Sequence, residues 1–548
     1  MRARYLLTRP RGQWARVVFR RTTKTLVLMV VALVLMTGLA HAGDPTGSAT
    51  GTAADVTAAS AGHATLSEVV SDLGHVKIAA NMTWVLFGVA LIFFMQAGFA
   101  LVETGFCRAK NASHVIMTNF VIFAIGVLAY WAVGFGLQFG GVGAISSLGG
   151  VQPLTGMFEI ARGWGIFGHQ GFFLAGGSYD VGIMAFFLFQ LVFMDTAATI
   201  VTGAMAERWK FSAFVVYGVF MAAITYPIYG SWVWGGGWLS ALGRNAGLGH
   251  GALDFAGSGV VHAVGGFAAL AGALVIGPRL GKFNKDGSPN AIPGHHMPMA
   301  ILGTIILIFG WIGFNGVSTL SAGDLRTSVI ITNTFIAGSA GAVAAMFLVW
   351  KLWGKPDPSM TANGMLAGLV AITAPCAFVT TWAACVIGAV AGLLVVGSVM
   401  FVERVLKVDD PVGAVSVHGV NGLWGLVALG IFADGTYGSG FNGIAGPVRG
   451  LLYGDSGQFF AQLISVGVVV VWAFGLMYAF FRVQDAVQGI RSSAEDELNG
   501  LDIPELGVAA YPDFGVRGSS GEGVFGHTSG GPAPSGRRLP IEKPAPAS

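Results

Sequence analysis

The sequence predicts an all-α membrane protein, and three observations carry this fold class. Of its 548 residues 54% are hydrophobic and 10% are charged, whereas a soluble globular protein carries about 25% charged residues. Many of its 84 glycines lie inside apolar runs, as expected where membrane helices pack closely. Eleven apolar stretches are each long enough to cross about 30 Å of hydrocarbon. The partner is therefore a lipid membrane, and the lack of a dense basic face excludes nucleic acid.

The N-terminal segment 1–42 has the anatomy of a cleaved signal peptide. A basic start is followed by the apolar stretch 26–39 and the small-x-small ending 40–42. The alternative is a retained first helix, for which this apolar core is short. Residues 43–79 are then expected to form a polar extracytoplasmic lead.

The predicted transmembrane domain occupies residues 80–483. A cytoplasmic regulatory tail is expected over 484–511, and the Gly-, Ser- and Pro-rich residues 512–548 are predicted to be disordered. The eleven predicted spans are 80–107, 114–138, 181–206, 211–239, 254–277, 297–319, 328–350, 361–380, 382–403, 413–433 and 459–482.

Positive charge is distributed unevenly between the two sets of connections. Those after odd-numbered spans hold eleven Lys and Arg residues, and those after even-numbered spans hold four. Because cytoplasmic loops carry the excess of positive charge, the N-terminus is predicted outside and the C-terminus inside. We expect a multi-pass protein of the plasma (inner) membrane.

An internal repeat points to the centre of the membrane. Asp254 and Asp410 are each followed after seven residues by a histidine, His262 and His418, with Val and Gly two and four residues further on. The two copies enter their spans from opposite sides, so the first ten spans are predicted to form an inverted 5+5 repeat, with one last helix. Eight helical residues rise about 12 Å, which places both histidines near mid-depth.

The paired histidines have a structural and a functional interpretation. A lone histidine in an apolar helix is usually a satisfied core residue, but two at matching depth favour function, because ionisable groups inside a membrane are costly. A metal site is disfavoured, since no further ligands are placed nearby and the three cysteines form no metal-ligand pattern. No cofactor is expected.

The other acids at membrane depth have less certain roles on spacing alone. Asp is a preferred helix N-cap, and Asp410 precedes Pro411 at a first helical position. Asp254 is either such a cap or a fixed negative charge that favours a cation near the outer mouth. No spacing assigns a role to Glu103 or Asp195.

Aromatic side chains supply a second cue near the outer ends of spans three, four and six. Phe189 and Phe193 stand one turn apart, as do Phe314 and Ser318, and Trp234 lies near the end of its span. A single tryptophan there is usually a membrane anchor. An aromatic face beside a hydroxyl is also suited to a cation.

At these residues the chain resembles the ammonium transporter (Amt/Mep/Rh) family, bacterial Amt type, from about residue 80 to 511. The resemblance rests on five stretches in order: FALVETGFCRAKN (99–111), GAMAER (203–208), DFAGSGVVH (254–262), GWIGFN (310–315) and DDP to VHGV (409–420). It implies a transporter and not an enzyme, eleven helices, and a homotrimer with one pore per subunit.

The resemblance also implies roles for the residues near the outer end. Trp234 and Ser318 resemble the site that recruits ammonium, and Phe193 and Phe314 resemble a stacked gate beneath it. Asp254 resembles the acid that supports recruitment and deprotonation.

Deeper residues resemble the family's pore. His262 and His418 are similar to its twin histidines, and Thr373 to a pore-lining threonine. We hypothesise that NH4+ loses a proton near Asp254 and passes as NH3, while the imidazole pair relays the proton. A passive channel for NH3 or CO2, and an ammonium sensor that acts through a separate protein, remain alternatives.

The polar segment 491–511 resembles the family's C-terminal regulatory tail, with Arg491, Asp502 and Tyr511 as its marker residues. We expect it to dock on the cytoplasmic face and to reach the neighbouring subunit, where a PII-type signal protein could bind. Leu506 stands where the family commonly has a histidine.

Overall fold

A computed structural model describes residues 65–512 of the chain. The predicted signal peptide, the start of the predicted lead up to residue 64 and the tail from 513 lie outside the described residues. Within them the protein is mostly helical, and ten helices are long and apolar enough to span a membrane. The all-α membrane fold is confirmed.

The helices follow the predicted order. In chain order they are α1 Leu66–Phe106, α2 Ala109–Phe139, α3 Val181–Met205, α4 Phe211–Val233, α5 Ser258–Ile276, α6 Met297–Thr319, α7 Thr327–Trp353, α8 Pro358–Thr373, α9 Thr381–Arg404, α10 Val415–Phe432 and α11 Ser456–Gln488. Two short helices lie outside this set, Leu242–Ala246 and Ala494–Asn499.

The helix at the eighth predicted span is the shortest of the eleven. α8 has 16 residues, which rise about 24 Å and fall short of the hydrocarbon thickness. It ends at Thr373 because Pro375 follows and cannot continue a helix. The chain then turns, and the Asn333 amide donates to the carbonyls of Cys376 and Val379 at 2.9 and 2.8 Å. The count of eleven spans therefore stays a prediction.

The start of α1 also differs from the expectation. The helix begins at Leu66, well inside the predicted lead, after a capping box in which Thr65 and Glu68 bond each other's backbone N–H. The hydropathy of the sequence marked only the apolar part of this helix, whose first turns are largely exposed.

In the long connection between α2 and α3, β1 Met157–Glu159 pairs antiparallel with β2 Gly165–Gly168.

The centre of the bundle is formed by α3, α5 and α10. Their most apolar windows are 83%, 78% and 67% buried, against 22% for α11. α1 packs extensively on α6, and α7 on α8 and α9. These three helices therefore form the core of the bundle, against which the other helices pack.

α5 and α10 cross in an antiparallel sense at glycines of the repeat. A Cβ at Gly266 would lie 2.1 Å from the backbone nitrogen of Gly419, and one at Gly422 would lie 2.8 Å from that of Ala263. These two contacts are equivalent under exchange of the copies, because each joins the Gly four residues after one histidine to the residue after the other. The predicted inverted relation is thus seen in this helix pair.

Candidate functional site

A cavity of about 460 Å³ opens at the end of the bundle where α4 and α6 end. Its walls include Phe193, Trp234 and Ser318, three of the residues predicted for the outer site. Phe189 and Gln190 of α3 line it as well. The structure therefore brings together side chains from α3, the end of α4 and α6, which lie between positions 189 and 318 of the sequence.

Trp234 is fixed at the rim of this cavity. It follows α4 directly, and its indole N–H donates to the backbone carbonyl of Asp254 at 2.6 Å. Its ring meets Phe193 edge-on, with centroids 5.9 Å apart and planes at 84°. A ring held at both its polar and apolar edges presents a defined face to a ligand.

The Ser318 hydroxyl has spare acceptor capacity. Its only hydrogen passes to the Phe314 carbonyl at 2.7 Å, one turn back in α6. A hydroxyl oxygen keeps two lone pairs after it donates. In the cavity Ser318 can thus accept a hydrogen bond from an N–H donor.

Two phenylalanines close the floor of the cavity. The rings of Phe193 and Phe314 lie 4.3 Å apart with planes at 35°, and both side chains are fully buried. Directly beyond them the Phe314 ring stacks on His262 at 5.5 Å. A cavity that holds water or an ion is therefore separated from the histidines by two aromatic rings.

The two repeat histidines meet. Their Nδ1 atoms lie 3.1 Å apart, and the ring centroids are 5.2 Å apart with planes at 22°. Each stands in the wide π-type turn that begins its helix, Ser258–Ala263 in α5 and Val415–Val420 in α10. One Nδ1 must donate and the other accept, so the pair shares one proton.

Asp254 lies behind this site as a helix cap. One carboxylate oxygen accepts the N–H groups of Gly257 and Ser258, the other those of Gly259 and Val260, at 2.8–2.9 Å. The side chain is 1% exposed and does not line the cavity. The carboxylate orients the turn that carries His262.

Asp410 caps the second copy in the same way. Its two oxygens accept the N–H groups of Gly413 and Val415 at 3.0 and 2.8 Å. The structural interpretation made for Asp410 from its spacing agrees with this geometry.

Thr373 acts on the site through a residue that the sequence analysis did not single out. Its hydroxyl donates to the Leu369 carbonyl at 2.7 Å and accepts the indole N–H of Trp311 at 3.0 Å. Trp311 stacks on His262 at 5.3 Å. In the sequence, the only cue to the role of Trp311 is its position one turn before Phe314. A buried tryptophan in an apolar helix is usually a packing residue, so this cue was not used.

A buried ion cluster joins the loops at the opposite end of the bundle. Arg279 bonds both carboxylate oxygens of Asp409 at 2.8 and 2.9 Å and reaches Glu207 at 3.1 Å. Burial raises the pKa of Asp409, but the hydrogen bonds and charge of Arg279 and the charge of Arg208 outweigh it and hold that pKa well below its ordinary range.

The predicted regulatory tail docks beside this cluster. Arg491 pairs with Glu497 at 2.7 Å and donates to the Ile276 carbonyl at 3.0 Å. The Asp502 carboxylate accepts the N–H groups of Ser113 and His114 near the start of α2 at 3.1 and 2.8 Å. These contacts are with loops and helix ends of the same chain. Tyr511 lies near the end of the described residues.

The tail contact gives a prediction for Asp502. Asp502→Ala removes an N-terminal helix cap, which is worth about 1 kcal/mol, so the undocked population is expected to rise about fivefold. Hydrogen exchange at Ser113 and His114 measures it. Glu495→Ala, which removes an equal charge from an exposed tail position, is the control. Equal exchange in both variants would contradict the capping role.

Among the described residues, no group of three or more His, Cys, Asp or Glu side chains could hold a metal ion.

Comparison with known proteins gives consistent matches over most of the chain. Residues 83–511 match the profile described as the Ammonium Transporter Family. The chain is 51% identical over 441 residues to ammonium transporter Amt2 of Archaeoglobus fulgidus, covering 80% of this chain and 89% of that relative. It is 40% identical over 468 residues to ammonium transporter Amt1 of Haloferax mediterranei, covering 82% and 83%.

Solved structures agree. A protein named Sensor Amt Protein superposes with a TM-score of 0.68 at 36% identity, covering 79% of this chain and 99% of that one. Candida albicans Mep2 superposes with a TM-score of 0.65 at 27% identity, covering 79% and 90%.

Proposed function

This chain belongs to the ammonium transporter family, and from that premise we propose how its cargo crosses the membrane. NH4+ binds in the outer cavity, gives up one proton and passes the phenylalanine gate as NH3. The proton follows through His262 and His418. The observation that supports this route most is the 3.1 Å contact between the two histidines directly beyond the gate.

Recruitment uses the faces that the cavity presents to a cation. The Trp234 and Phe193 rings offer negative quadrupoles, and the Ser318 oxygen accepts one of the four N–H groups of the ion. Asp254 contributes through its charge, because both its oxygens are occupied by backbone donors. We therefore assign it a positioning and electrostatic role. The ion gives its proton to cavity water, and the proton reaches the His262 ring when the two phenylalanine rings rotate apart.

The gate explains why the ion must lose its proton. A charge is costly inside the hydrocarbon region, and the stacked rings of Phe193 and Phe314 leave no acceptors that could replace a hydration shell. Neutral NH3 has a much smaller desolvation cost. Potassium has no proton to give up, so it is excluded at this point.

Beyond the gate the shared proton of the histidine pair supports relay. A proton that arrives at one imidazole can leave from the other, with the Nδ1 contact as the link. Trp311 and Thr373 hold the His262 ring in place for this exchange. The test is electrical: ammonium added to proteoliposomes should evoke a current that potassium does not. A passive gas channel would give alkalinisation without current.

A sensor function is the second candidate, favoured by the likeness to a solved protein named Sensor Amt Protein. In that case the docked tail would report occupancy to a separate protein. A sensor that does not transport would bind ammonium without any current, so the same recording separates the two functions.

Membership of the family also supports a proposal for the assembly and its partners. We propose a homotrimer in the plasma (inner) membrane, with a PII-type protein binding on the tail face. An open apolar groove of about 610 Å³, lined by Trp232, Trp238, Val471 and Trp472 of the α4–α11 side, supports contact with another subunit there. The cleaved signal over 1–42 and the disordered tail over 512–548 remain proposals.

Trp234→Leu tests the recruitment site. The change keeps much of the apolar volume but removes the ring quadrupole, worth about 0.5–2 kcal/mol for a cation. The half-saturation concentration of the inward current is expected to rise by about tenfold or less. Trp382→Leu is the control, because Trp382 is an exposed tryptophan at the start of α9 that lines neither the outer cavity nor the apolar groove. An unchanged half-saturation concentration in Trp234→Leu would instead assign Trp234 the role of an anchor at the membrane–water interface.

A further inference from the structure

A second, much smaller cavity lies on the far side of the histidine pair. Its volume is about 20 Å³, enough for one water-sized molecule. His418 and Glu103 line it together, with Asn363 and the apolar side chains of Phe99 and Val412. The cavity is thus sized for a single ammonia and has a carboxyl group and an imidazole in its wall.

Glu103 is held in place by donors from two neighbouring helices. Asn119 of α2 donates to Oε2 at 2.8 Å, and the Thr202 hydroxyl of α3 lies 2.9 and 2.8 Å from Oε1 and Oε2, with its one hydrogen shared between Glu103 and the Thr199 backbone carbonyl. Asn119 is itself held by Thr199, whose hydroxyl donates to Oδ1 of the Asn119 side-chain amide at 2.9 Å. The carboxyl group is therefore oriented by a buried network, all of whose donors are neutral.

The backbone is shaped around this carboxyl group. A Cβ at Gly203 would lie 3.3 Å from the Glu103 carboxyl and 2.4 Å from Val412, another wall of the small cavity. Only a residue without a side chain leaves that space free. The sequence thus keeps room for Glu103 beside the cavity.

No cation balances Glu103 within residues 65–512. The ion pairs of this part of the chain use Glu207, Asp409, Glu403, Asp324 and Glu497, and none involves Glu103. A buried carboxylate is costly unless it is paired with a positive charge. An ammonium ion in the adjacent cavity would supply the missing charge.

We propose that the Glu103 cavity is an inner ammonium site, where NH3 regains its proton before it leaves on the tail face. The proposal rests on the proposed function, because it requires NH3 and a proton to arrive past the histidines. The protonated His418 ring gives its N–H proton to NH3, the N–H electron pair stays on the imidazole, and a new N–H bond completes NH4+. The Glu103 carboxylate pairs with that ion, and no other reactant is consumed.

Glu103→Gln is the first test. Glutamine keeps the shape and an acceptor for Asn119 or Thr202 but removes the charge. Because a hydrogen bond to a charged group is lost along with the counter-charge, ammonium currents in oriented proteoliposomes should fall about tenfold or more. The half-saturation concentration for ammonium supplied on the tail face should rise, while that on the opposite face stays unchanged.

Glu103→Asp keeps the charge and gives an independent readout. The carboxylate recedes by one methylene, so the current should persist, with a higher half-saturation concentration on the tail face only. If the glutamine variant does not assemble, this variant decides alone. Thr104→Val is the control, because Thr104 is the buried neighbour of Glu103 in α1, its hydroxyl makes no hydrogen bond within residues 65–512, and its side chain does not line the cavity. It should leave both half-saturation concentrations unchanged.

The outcomes separate this site from the transport mechanism. Assembled Glu103 variants with wild-type currents and half-saturation on both faces would overturn the inner site. If Trp234→Leu nevertheless shifts the half-saturation concentration on the outer face, the recruitment mechanism survives and only the inner site fails. If neither Trp234→Leu nor the replacement of both His262 and His418 by alanine changes the ammonium-evoked current, the proposed function fails first.

Discussion

Replacing both His262 and His418 with alanine is expected to abolish the potassium-excluding ammonium current while the protein still assembles. The two Nδ1 atoms share one proton at 3.1 Å, and both rings are buried. Alanine at both positions removes every titratable atom of this link. Ammonium-evoked current in proteoliposomes, with size-exclusion behaviour in detergent as the assembly check, measures the effect.

His114→Ala is the matched control for the histidine variant. His114 is also a buried histidine of a membrane-spanning helix, but it packs against Phe211 beside the tail and does not face the pair. Its loss should leave the current in place. A double alanine variant that still carries undiminished current without potassium would rule out the relay and leave the histidines as packing residues.

Arg279→Met is expected to cause the largest loss of stability. The change leaves the carboxylates of Asp409 and Glu207 buried, with Asp409 1% exposed, and takes away the side chain that bonds both. Breaking a buried pair in this way costs about 3–5 kcal/mol. Thermal unfolding in detergent, followed by the loss of monodisperse protein, is the measurement.

The Lys282–Glu403 pair supplies the comparison. Glu403 is 31% exposed there, so Lys282→Met should cost about 1 kcal/mol or less. Equal melting temperatures for the two variants would contradict the role of the buried cluster.

The same cluster predicts how stability depends on pH. Because the folded-state pKa of Asp409 is lowered, its pairing contributes fully to the free energy of unfolding above the ordinary carboxyl pKa of about 4, and this contribution is lost only as the pH falls below that value.

The paired histidines could be predicted because the repeat encodes their depth. Each histidine stands eight positions after its capping aspartate, and opposite entry directions bring the two to the same level. The predicted eight-residue helical rise was wrong, because α5 and α10 begin only at Ser258 and Val415. The gate phenylalanines and Trp234 were visible through their helical spacing. Their assembly around one cavity required the fold, since the residues come from three separate helices.

Other features could not be predicted for physical reasons. The hydropathy of 361–380 hides the break that Pro375 imposes after α8. From the sequence, Asp254 could be either a helix cap or a fixed charge that favours a cation. Only the four backbone donors around its carboxylate show that it is a cap. The hydrogen-bond partners of Glu103 could not be predicted, because Asn119 and Thr202 lie on other helices.

The glycine crossing of α5 and α10 limits how the molecule can move while it works. With Gly266 against Gly419 and Gly422 against Ala263, the two backbones pack so closely that neither glycine position has room for a side chain. Sliding of one half along the other would break this packing, so we expect the gate to open by rotation of the Phe193 and Phe314 rings. Side-chain motions are faster than domain motions by orders of magnitude. Time-resolved currents should therefore show a throughput closer to that of a channel than to that of a transporter that moves one half of the molecule.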